Sequence, residues 1–177
     1  MSQQIIETLI SGGLVVLRTD TIYGILAIAS NQAAVERIYA LKGRQSHKPF
    51  IQLISDSSQI FGDAATFVQH EPKYRDRPTS IVIESKDAPD YLLRGGSSLA
   101  YRLERSGKLH GILEQTGPLV APSANPEGLP TARTIEQAKK YFGDNIDLYI
   151  DGGEVPAYTE PSRIIKPKPD GSVEILR

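Results

Sequence analysis

Hydrophobic positions along the chain follow two periods, which predict helices alternating with strands. In the helical segments apolar residues recur every three or four positions, and a polar cap or a glycine marks several of the ends. Helices are predicted over 5–10, 31–41, 107–115 and 134–142, with a brief helix after Asp56. Short apolar or alternating runs predict strands over 14–17, 24–29, 50–54, 80–84, 99–103, 119–122, 148–150, 163–165 and 173–176.

This order of elements is typical of an α/β domain built on a twisted, mixed sheet. Strands and helices alternate without one repeating unit, and no low-complexity block or linker divides the chain. Residues 64–78 are polar and give no clear helix or strand. We therefore interpret residues 1–177 as one α/β domain.

Composition excludes several classes of protein. The chain is 40% apolar and 23% charged, and no apolar run approaches the roughly 20 residues of a membrane-spanning helix. No basic region introduces a signal segment at the N-terminus, so we expect a cytoplasmic protein that does not contact membranes. The absence of cysteine excludes disulfides, thiolate zinc sites and a cysteine nucleophile. A net charge of −1 argues against non-specific nucleic-acid binding over the whole surface, but it allows a local basic groove.

Two short motifs about eighty residues apart suggest a pocket for a polyanion. In the first, Lys42 and Arg44 flank a glycine at a helix end, and turning at Gly43 would let both cationic heads meet one anion. The alternative is that both residues complement the C-terminal dipole of the helix. In the second motif, Ser123 and Asn125 follow a buried strand and offer a hydroxyl and an amide. The alternative there is an ordinary Ser/Asn turn.

Two further polar positions stand near predicted strand ends. The cluster around Asp20 follows a buried strand, where open α/β sheets place ligands, or it forms a turn in which Asp20 bonds its own backbone. Arg102 interrupts an apolar strand, where an unpaired charge is costly, so it is expected to point to solvent or to meet an anionic ligand.

Standard signatures of nucleotide, metal and covalent chemistry are missing. No glycine-rich run matches the phosphate-binding loop or the dinucleotide fingerprint, and no serine stands in a nucleophile elbow. The histidines lack metal-ligand spacing, and no carboxylate cluster suggests a dedicated metal cage. An enzyme with this sequence is therefore expected to act by positioning and charge neutralisation.

Taken together, these segments resemble the YrdC-like family of threonylcarbamoyl-AMP synthases in order and spacing. The resemblance covers essentially the whole chain and is to the short, single-domain form. It rests on the following segments: Thr19-Asp20-Thr21-Ile22-Tyr23-Gly24, Lys42-Gly43-Arg44, Lys48-Pro49, Pro122-Ser123-Ala124-Asn125, Asp151-Gly152-Gly153 and Pro161-Ser162-Arg163-Ile164. Two positions depart from the family pattern: Arg77 stands where a glycine is expected, and Arg163 replaces a threonine.

The resemblance implies a fold, a reaction and a set of site residues. The fold is a YrdC-like twisted open mixed sheet with flanking helices. The reaction is formation of threonylcarbamoyl-AMP and pyrophosphate from L-threonine, bicarbonate and ATP, with Mg²⁺ carried by the ATP, for threonylcarbamoyladenosine modification of tRNA. tRNA and downstream threonylcarbamoyl-transfer proteins are the implied partners. The implied residues are catalytic Lys42, Arg44, Ser123 and Asn125, nucleotide-binding Lys48, Ser98 and Arg177, and threonine-binding Thr21, Arg102 and Ser162.

Two other hypotheses remain open at this point. One is an RNA-binding module whose concave surface is basic; the residues that would line it are Lys42, Arg44, Lys48, Arg163, Lys166 and Lys168. RNA affinity that falls steeply with salt, without ATP-dependent pyrophosphate release, would favour it. The other is a related carbamoyl-transfer or small-metabolite domain on the same fold.

Overall fold

The predicted alternation of helices and strands is confirmed by the structure. It is a computed structural model that describes residues 2–44 and 47–177. The α-helices in these ranges are α1 (Ser2–Ile10), α2 (Gln32–Lys42), α3 (Ala64–His70), α4 (Asp90–Leu93), α5 (Gly107–Thr116) and α6 (Ile135–Phe142). The strands are β1 (Val15–Arg18), β2 (Tyr23–Ile28), β3 (Gln52–Ile54), β4 (Thr79–Glu84), β5 (Ser98–Leu103), β6 (Leu119–Val120), β7 (Leu148–Tyr149), β8 (Arg163–Pro167) and β9 (Val173–Ile175).

All the strands join one mixed sheet. Its order is β7-β1-β2-β6-β3-β5-β4-β8-β9. The pairs β1/β7, β3/β5 and β4/β8 are parallel, and the remaining neighbours are antiparallel. The α/β fold class with a twisted open sheet and flanking helices is thus confirmed.

Two hydrophobic cores cover the two faces of this sheet. Because side chains alternate along a strand, Leu53 and Ile54 face opposite sides and belong to different cores. On one face the strands pack against helices α2, α3, α4 and α6. On the other face α1 and α5 cover β1, β2, β6 and β3. Strands β5, β4 and β8 extend beyond these two helices.

The elements that sequence patterns failed to predict are short. Within the polar stretch 64–78, Asp63 caps α3 by accepting a hydrogen bond from the backbone N–H of Thr66 at 3.1 Å. A 3₁₀ turn over Glu71–Tyr74 follows. Helix α4 is a single turn after Pro89, too short to carry an apolar period. Within the described ranges, no helix is both long and apolar enough to span a membrane.

Candidate active site

A cleft of ≈ 310 Å³ opens on the sheet face that α1 and α5 leave partly uncovered. Arg102 pairs in register with Leu53, so it shares the face on which those helices pack. The alternate β5 residues Ser98 and Ala100 therefore point into the same space. Because Ser98 and Ala100 have small side chains and Gly24 of β2 has none, these residues leave the space of the cleft open.

Residues from distant segments of the chain meet in this cleft. Seven of the ten predicted site residues line it: Thr21, Arg44, Ser98, Arg102, Ser123, Ser162 and Arg177. Three others, Lys42, Lys48 and Asn125, are not among the lining residues. The two principal motifs nevertheless lie together, because Lys42 contacts the backbone of both Ser123 and Asn125.

Lys42 is buried and binds backbone rather than facing open space. Its side-chain Nζ donates hydrogen bonds to the carbonyl oxygens of Ser123 and Asn125, both at 2.5 Å. Burial, with a smaller contribution from the nearby Arg44, lowers the pKa of Lys42 to about 8. The two cations of this motif therefore do not converge as expected, since only Arg44 lines the cleft. Lys42 fixes the turn that carries Ser123 and Asn125.

Arg44 and Lys48 share one carboxylate at the rim of the cleft. Glu127 lies 3.5 Å from Arg44 Nη1 and 3.2 Å from Lys48 Nζ. Glu127 is itself anchored, since its backbone N–H donates to the carbonyl of Lys42 at 2.7 Å. These exposed ion pairs hold the two cations near the cleft without burying them. Sequence reasoning missed Glu127, although it lies two residues after Asn125.

An aromatic stack supports the segment that carries these cations. The rings of Tyr39 and Phe50 are stacked with centroids 3.9 Å apart, and the guanidinium of Arg94 lies 3.6 Å from the Tyr39 centroid. Phe50 lines the cleft. The Tyr39 hydroxyl donates to the carbonyl of Lys48 at 2.9 Å, and Arg44 Nε donates to that same carbonyl at 3.2 Å. The stack thus connects the α2 helix to the cation-bearing segment.

The side chain of Asn125 is only partly satisfied by the protein. Its amide Nδ2 donates to the carbonyls of Pro126 and Leu129 at 2.9 and 2.8 Å. Its Oδ1 is buried and has no hydrogen-bond partner in the part of the chain that the structure describes. A buried acceptor without a partner is unfavourable, and a donor from a bound molecule would relieve it.

Arg102 is buried and forms a three-charge group with the buried Glu104 and the more exposed Asp20. Its Nη2 lies 2.8 Å from Oδ1 of Asp20, and its Nε donates to Oε1 of Glu104 at 2.9 Å. Arg102 is buried rather than exposed to solvent, and these two carboxylates balance its charge within the protein. Asp20 likewise forms an ion pair instead of a self-bonded turn. Glu104 was missed, although strand alternation puts it on the same face as Arg102, two residues away.

Burial affects the charge balance of this group. The side chain of Glu104 is only 11% exposed, and burial raises its pKa, as does the nearby carboxylate of Asp20, while Arg102 opposes the rise. Arg102 also lines a second cavity of ≈ 320 Å³, into which Asp20 faces. The Arg102–Asp20 pair therefore stands between the two cavities.

Ser162 and Arg177 form another wall of the cleft. The Ser162 hydroxyl lies 3.1 Å from that of Ser80. Arg177 Nε donates to the carbonyl of Ser162 at 3.0 Å, which holds the guanidinium against the lining. Burial lowers the pKa of Arg177, and the cations Arg102 and Arg44 lower it further. This mutual repulsion indicates that three guanidinium groups gather around one space that an anion would stabilise.

The Asp-Gly-Gly segment supports the cleft from outside. Gly152 donates its backbone N–H to the Tyr23 hydroxyl at 2.9 Å, and that hydroxyl donates to the carbonyl of Gly153 at 2.9 Å. A Cβ on Gly152 would lie 2.6 Å from Cβ of Arg18, so a larger residue does not fit without displacement. Tyr23 begins β2 and precedes the cleft residue Gly24, so this contact fixes the strand end.

The two departures from the family pattern lie outside the cleft. Arg163 lies 2.5 Å from the carboxylate of Asp76, and its guanidinium is 5.0 Å from the Tyr74 ring centroid. Arg77 lies 3.0 Å from the carboxylate of Glu160. Arg77 and Arg163 each have an acidic partner, which explains how the fold tolerates both.

The basic surface of the RNA hypothesis is not formed as expected. Lys42 is buried, and Arg163 pairs with Asp76. Lys168 lies 3.3 Å from the carboxylate of Glu174. Three of the six cations, Lys42, Arg163 and Lys168, are therefore buried or paired with a carboxylate. Over residues 2–44 and 47–177, no group of three histidine, aspartate or glutamate side chains is placed to hold a metal ion.

Comparison with known proteins gives a consistent result at the level of sequence. The family model Sua5/YciO/YrdC, described as telomere recombination, matches residues 7–177. A threonylcarbamoyl-AMP synthase of Marinobacter nauticus is 31% identical over 166 residues, which cover 90% of this chain and 87% of that protein.

Solved structures give the same fold. Sua5 of P. abyssi, solved in complex with L-threonine, is 26% identical with a TM-score of 0.85 over 99% of this chain. This chain spans 53% of that Sua5 chain, about half its length. YciO of E. coli matches with a TM-score of 0.80 at 21% identity, covering 99% of this chain and 87% of YciO, a likeness of fold alone.

Proposed function

The chain belongs to the Sua5/YciO/YrdC family, and we propose that it forms threonylcarbamoyl-AMP and pyrophosphate from L-threonine, bicarbonate and ATP. The chain is thus a nucleotidyltransferase in this proposal. One observation carries it: seven predicted site residues from separate segments line a single cleft that contains three guanidinium groups. L-threonine as a substrate is supported by the threonine complex of the P. abyssi relative.

The first chemical step joins threonine to bicarbonate. The neutral amine attacks the carbon, an N–C bond forms, and the elements of water leave to give a carbamate. Arg102 binds the carboxylate of the amino acid, and Thr21 and Ser162 contact its other polar groups. Holding the amine beside the one-carbon substrate supplies much of the acceleration, because an intermolecular encounter becomes an intramolecular one.

The second step transfers the adenylyl group. A carbamate oxygen attacks the α-phosphorus of ATP, and the bond from that phosphorus to the bridging oxygen breaks as pyrophosphate leaves. Negative charge spreads over the phosphate oxygens, where Arg44 and Arg177 stabilise it. Lys48 and Ser98 bind the nucleotide, while Ser123 and Asn125 align it, the latter through an Oδ1 that has no hydrogen-bond partner among the described residues. Mg²⁺ enters with ATP as part of the substrate.

A pyrophosphate-release assay with each substrate omitted in turn tests the proposal. We expect release only when threonine, bicarbonate and ATP are all present, together with a product of the mass of threonylcarbamoyl-AMP. Release without threonine, or with carbamoyl phosphate in its place, would instead identify the related carbamoyl-transfer activity. The proposal also places the protein in the cytoplasm, where its product serves tRNA modification by downstream transfer proteins.

A further inference from the structure

The charge count around Arg102 is unusual for an anion site. One buried guanidinium lies between two carboxylates, at 2.8 Å from Asp20 and 2.9 Å from Glu104. With both acids ionised, these three side chains carry one net negative charge before any substrate arrives, while Arg44 and Arg177 place positive charge elsewhere along the cleft. A simple anion would therefore bind here against a local excess of negative charge.

The guanidinium still has donors to offer. Arginine has five N–H groups, of which the Nε–H is donated to Glu104, while the Nη2 nitrogen is paired with Asp20 at 2.8 Å. The three remaining N–H groups can serve a ligand in the cleft that Arg102 lines. The two carboxylates fix the plane of the fork, so these donors are oriented before binding.

A zwitterion matches both properties of the group. Its carboxylate accepts hydrogen bonds from the free N–H groups of Arg102, and its ammonium is attracted by the excess negative charge. A phosphate or another dianion can accept the same hydrogen bonds from Arg102, but the negative charge of the two carboxylates repels it. This separates an amino-acid site from a phosphate site within one cleft.

We infer that Asp20 and Glu104 are positioning residues that make the Arg102 site selective for the zwitterionic form of an α-amino acid over anions that lack the ammonium. The inference rests on the proposed function, since it takes the amino-acid substrate to bind at Arg102. Glu104 has the larger effect on selectivity, because its side chain is 11% exposed and that of Asp20 is 37% exposed. Charges in the drier position are screened less.

Removing the charge of Glu104 should change the affinities for two matched ligands in opposite directions. Glu104→Gln keeps an oxygen that accepts the hydrogen bond of Arg102 Nε, but it removes one negative charge. L-Threonine should then bind about three- to tenfold more weakly, because its ammonium loses attraction. The matched probe is 3-hydroxybutyrate, which is threonine without its amino group. It should bind about three- to tenfold more tightly, because its carboxylate meets less repulsion.

The experiment measures both dissociation constants by calorimetry on the full chain, with Glu174→Gln as a charge-matched control away from the cleft. Glu174 pairs with Lys168 on the edge strand, so the control should leave the ratio of the two constants unchanged. A general structural defect in Glu104→Gln would weaken both ligands together, and that result would overturn the inference. Equal dissociation constants for threonine and 3-hydroxybutyrate, in the wild type and in both variants, would also overturn it.

Kinetics and a second variant complete the test. In the pyrophosphate assay, Glu104→Gln should raise KM for threonine while kcat stays within about twofold, since the phosphate-binding residues are untouched. If Glu104→Gln does not fold, Asp20→Asn must show the same opposite shifts at smaller size. A wild type that binds threonine but releases no pyrophosphate would refute the proposed reaction and leave the binding selectivity standing, so the two failures are distinguishable.

Discussion

Two groups of charged residues lie at the cleft: carboxylates outnumber cations in one, and cations outnumber carboxylates in the other. The Arg102 group, formed by Asp20, Arg102 and Glu104, has one cation for two carboxylates. The Lys42 group, formed by Lys42, Arg44, Lys48 and Glu127, has three cations for one carboxylate. Local charge thus changes sign within the site, which suits a zwitterion and a polyanion bound together.

The groups also differ in how rigidly the protein holds them. Arg102 is buried and is held by ion pairs with the buried Glu104 and the more exposed Asp20, so its position is set before substrate binds. Arg44 and Lys48 lie at the rim, where one shared carboxylate and one backbone carbonyl hold them. Exposed pairs of this kind are weak and readily exchanged for phosphate oxygens. Replacing Arg102 should therefore affect both stability and ligand binding, whereas replacing Arg44 should affect ligand binding with little change in stability.

The largest expected effect comes from removing the cation of the Arg102 group. Arg102→Met leaves Asp20 and Glu104 without their counter-charge and should lower the free energy of unfolding by about 3–5 kcal/mol. The matched variant Arg44→Met should abolish pyrophosphate release while changing stability by less than about 1 kcal/mol. Urea denaturation measures both values. Equal destabilisation in the two variants would remove the distinction between the groups.

A pH dependence of stability tests the buried member of the Lys42 group. In the folded protein the pKa of Lys42 is about 8, against its ordinary value of 10.5. Between these values the unfolded chain binds more protons, so the stability of wild type relative to Lys42→Met should rise with pH. The rise should approach 3 kcal/mol, on the order expected from about 1.4 kcal/mol per pKa unit. A difference that stays flat from pH 8 to 10.5 would show that Lys42 is not desolvated.

How far the sequence predicts this site depends on the range of the interactions. The helices and strands follow from local periodicity, and strand alternation puts Arg102 and Ser98 on one face. Most of the cleft residues were found because their motifs resemble a family. The counter-charges Glu104 and Glu127 were not found, since ion pairing depends on distances between segments. Lys42 shows the same limit: its motif indicates a cation, but only the fold shows its ammonium bound to carbonyls.

A smaller effect is expected at the aromatic support of the Lys42 group. Tyr39→Phe keeps the ring stack on Phe50 but removes the hydrogen bond to the carbonyl of Lys48. Stability should fall by about 1 kcal/mol, and KM for ATP should rise about threefold with KM for threonine unchanged. Tyr149→Phe is the matched control, because its hydroxyl donates to the carbonyl of Gly143 away from the cleft. A change in KM for threonine as large as that for ATP would contradict the separation of the two groups.

The smallest expected effect tests whether the shared carboxylate of the Lys42 group restrains its cations. Glu127→Gln releases Arg44 and Lys48 from a rim position, so KM for ATP should fall about twofold at low salt and return toward wild type as salt screens the charges. Stability should change little, because both pairs are solvent-accessible. A rise in KM for ATP would mean that Glu127 orients Arg44 as Glu104 orients Arg102. The two groups would then differ in charge balance but share one way of fixing a cation.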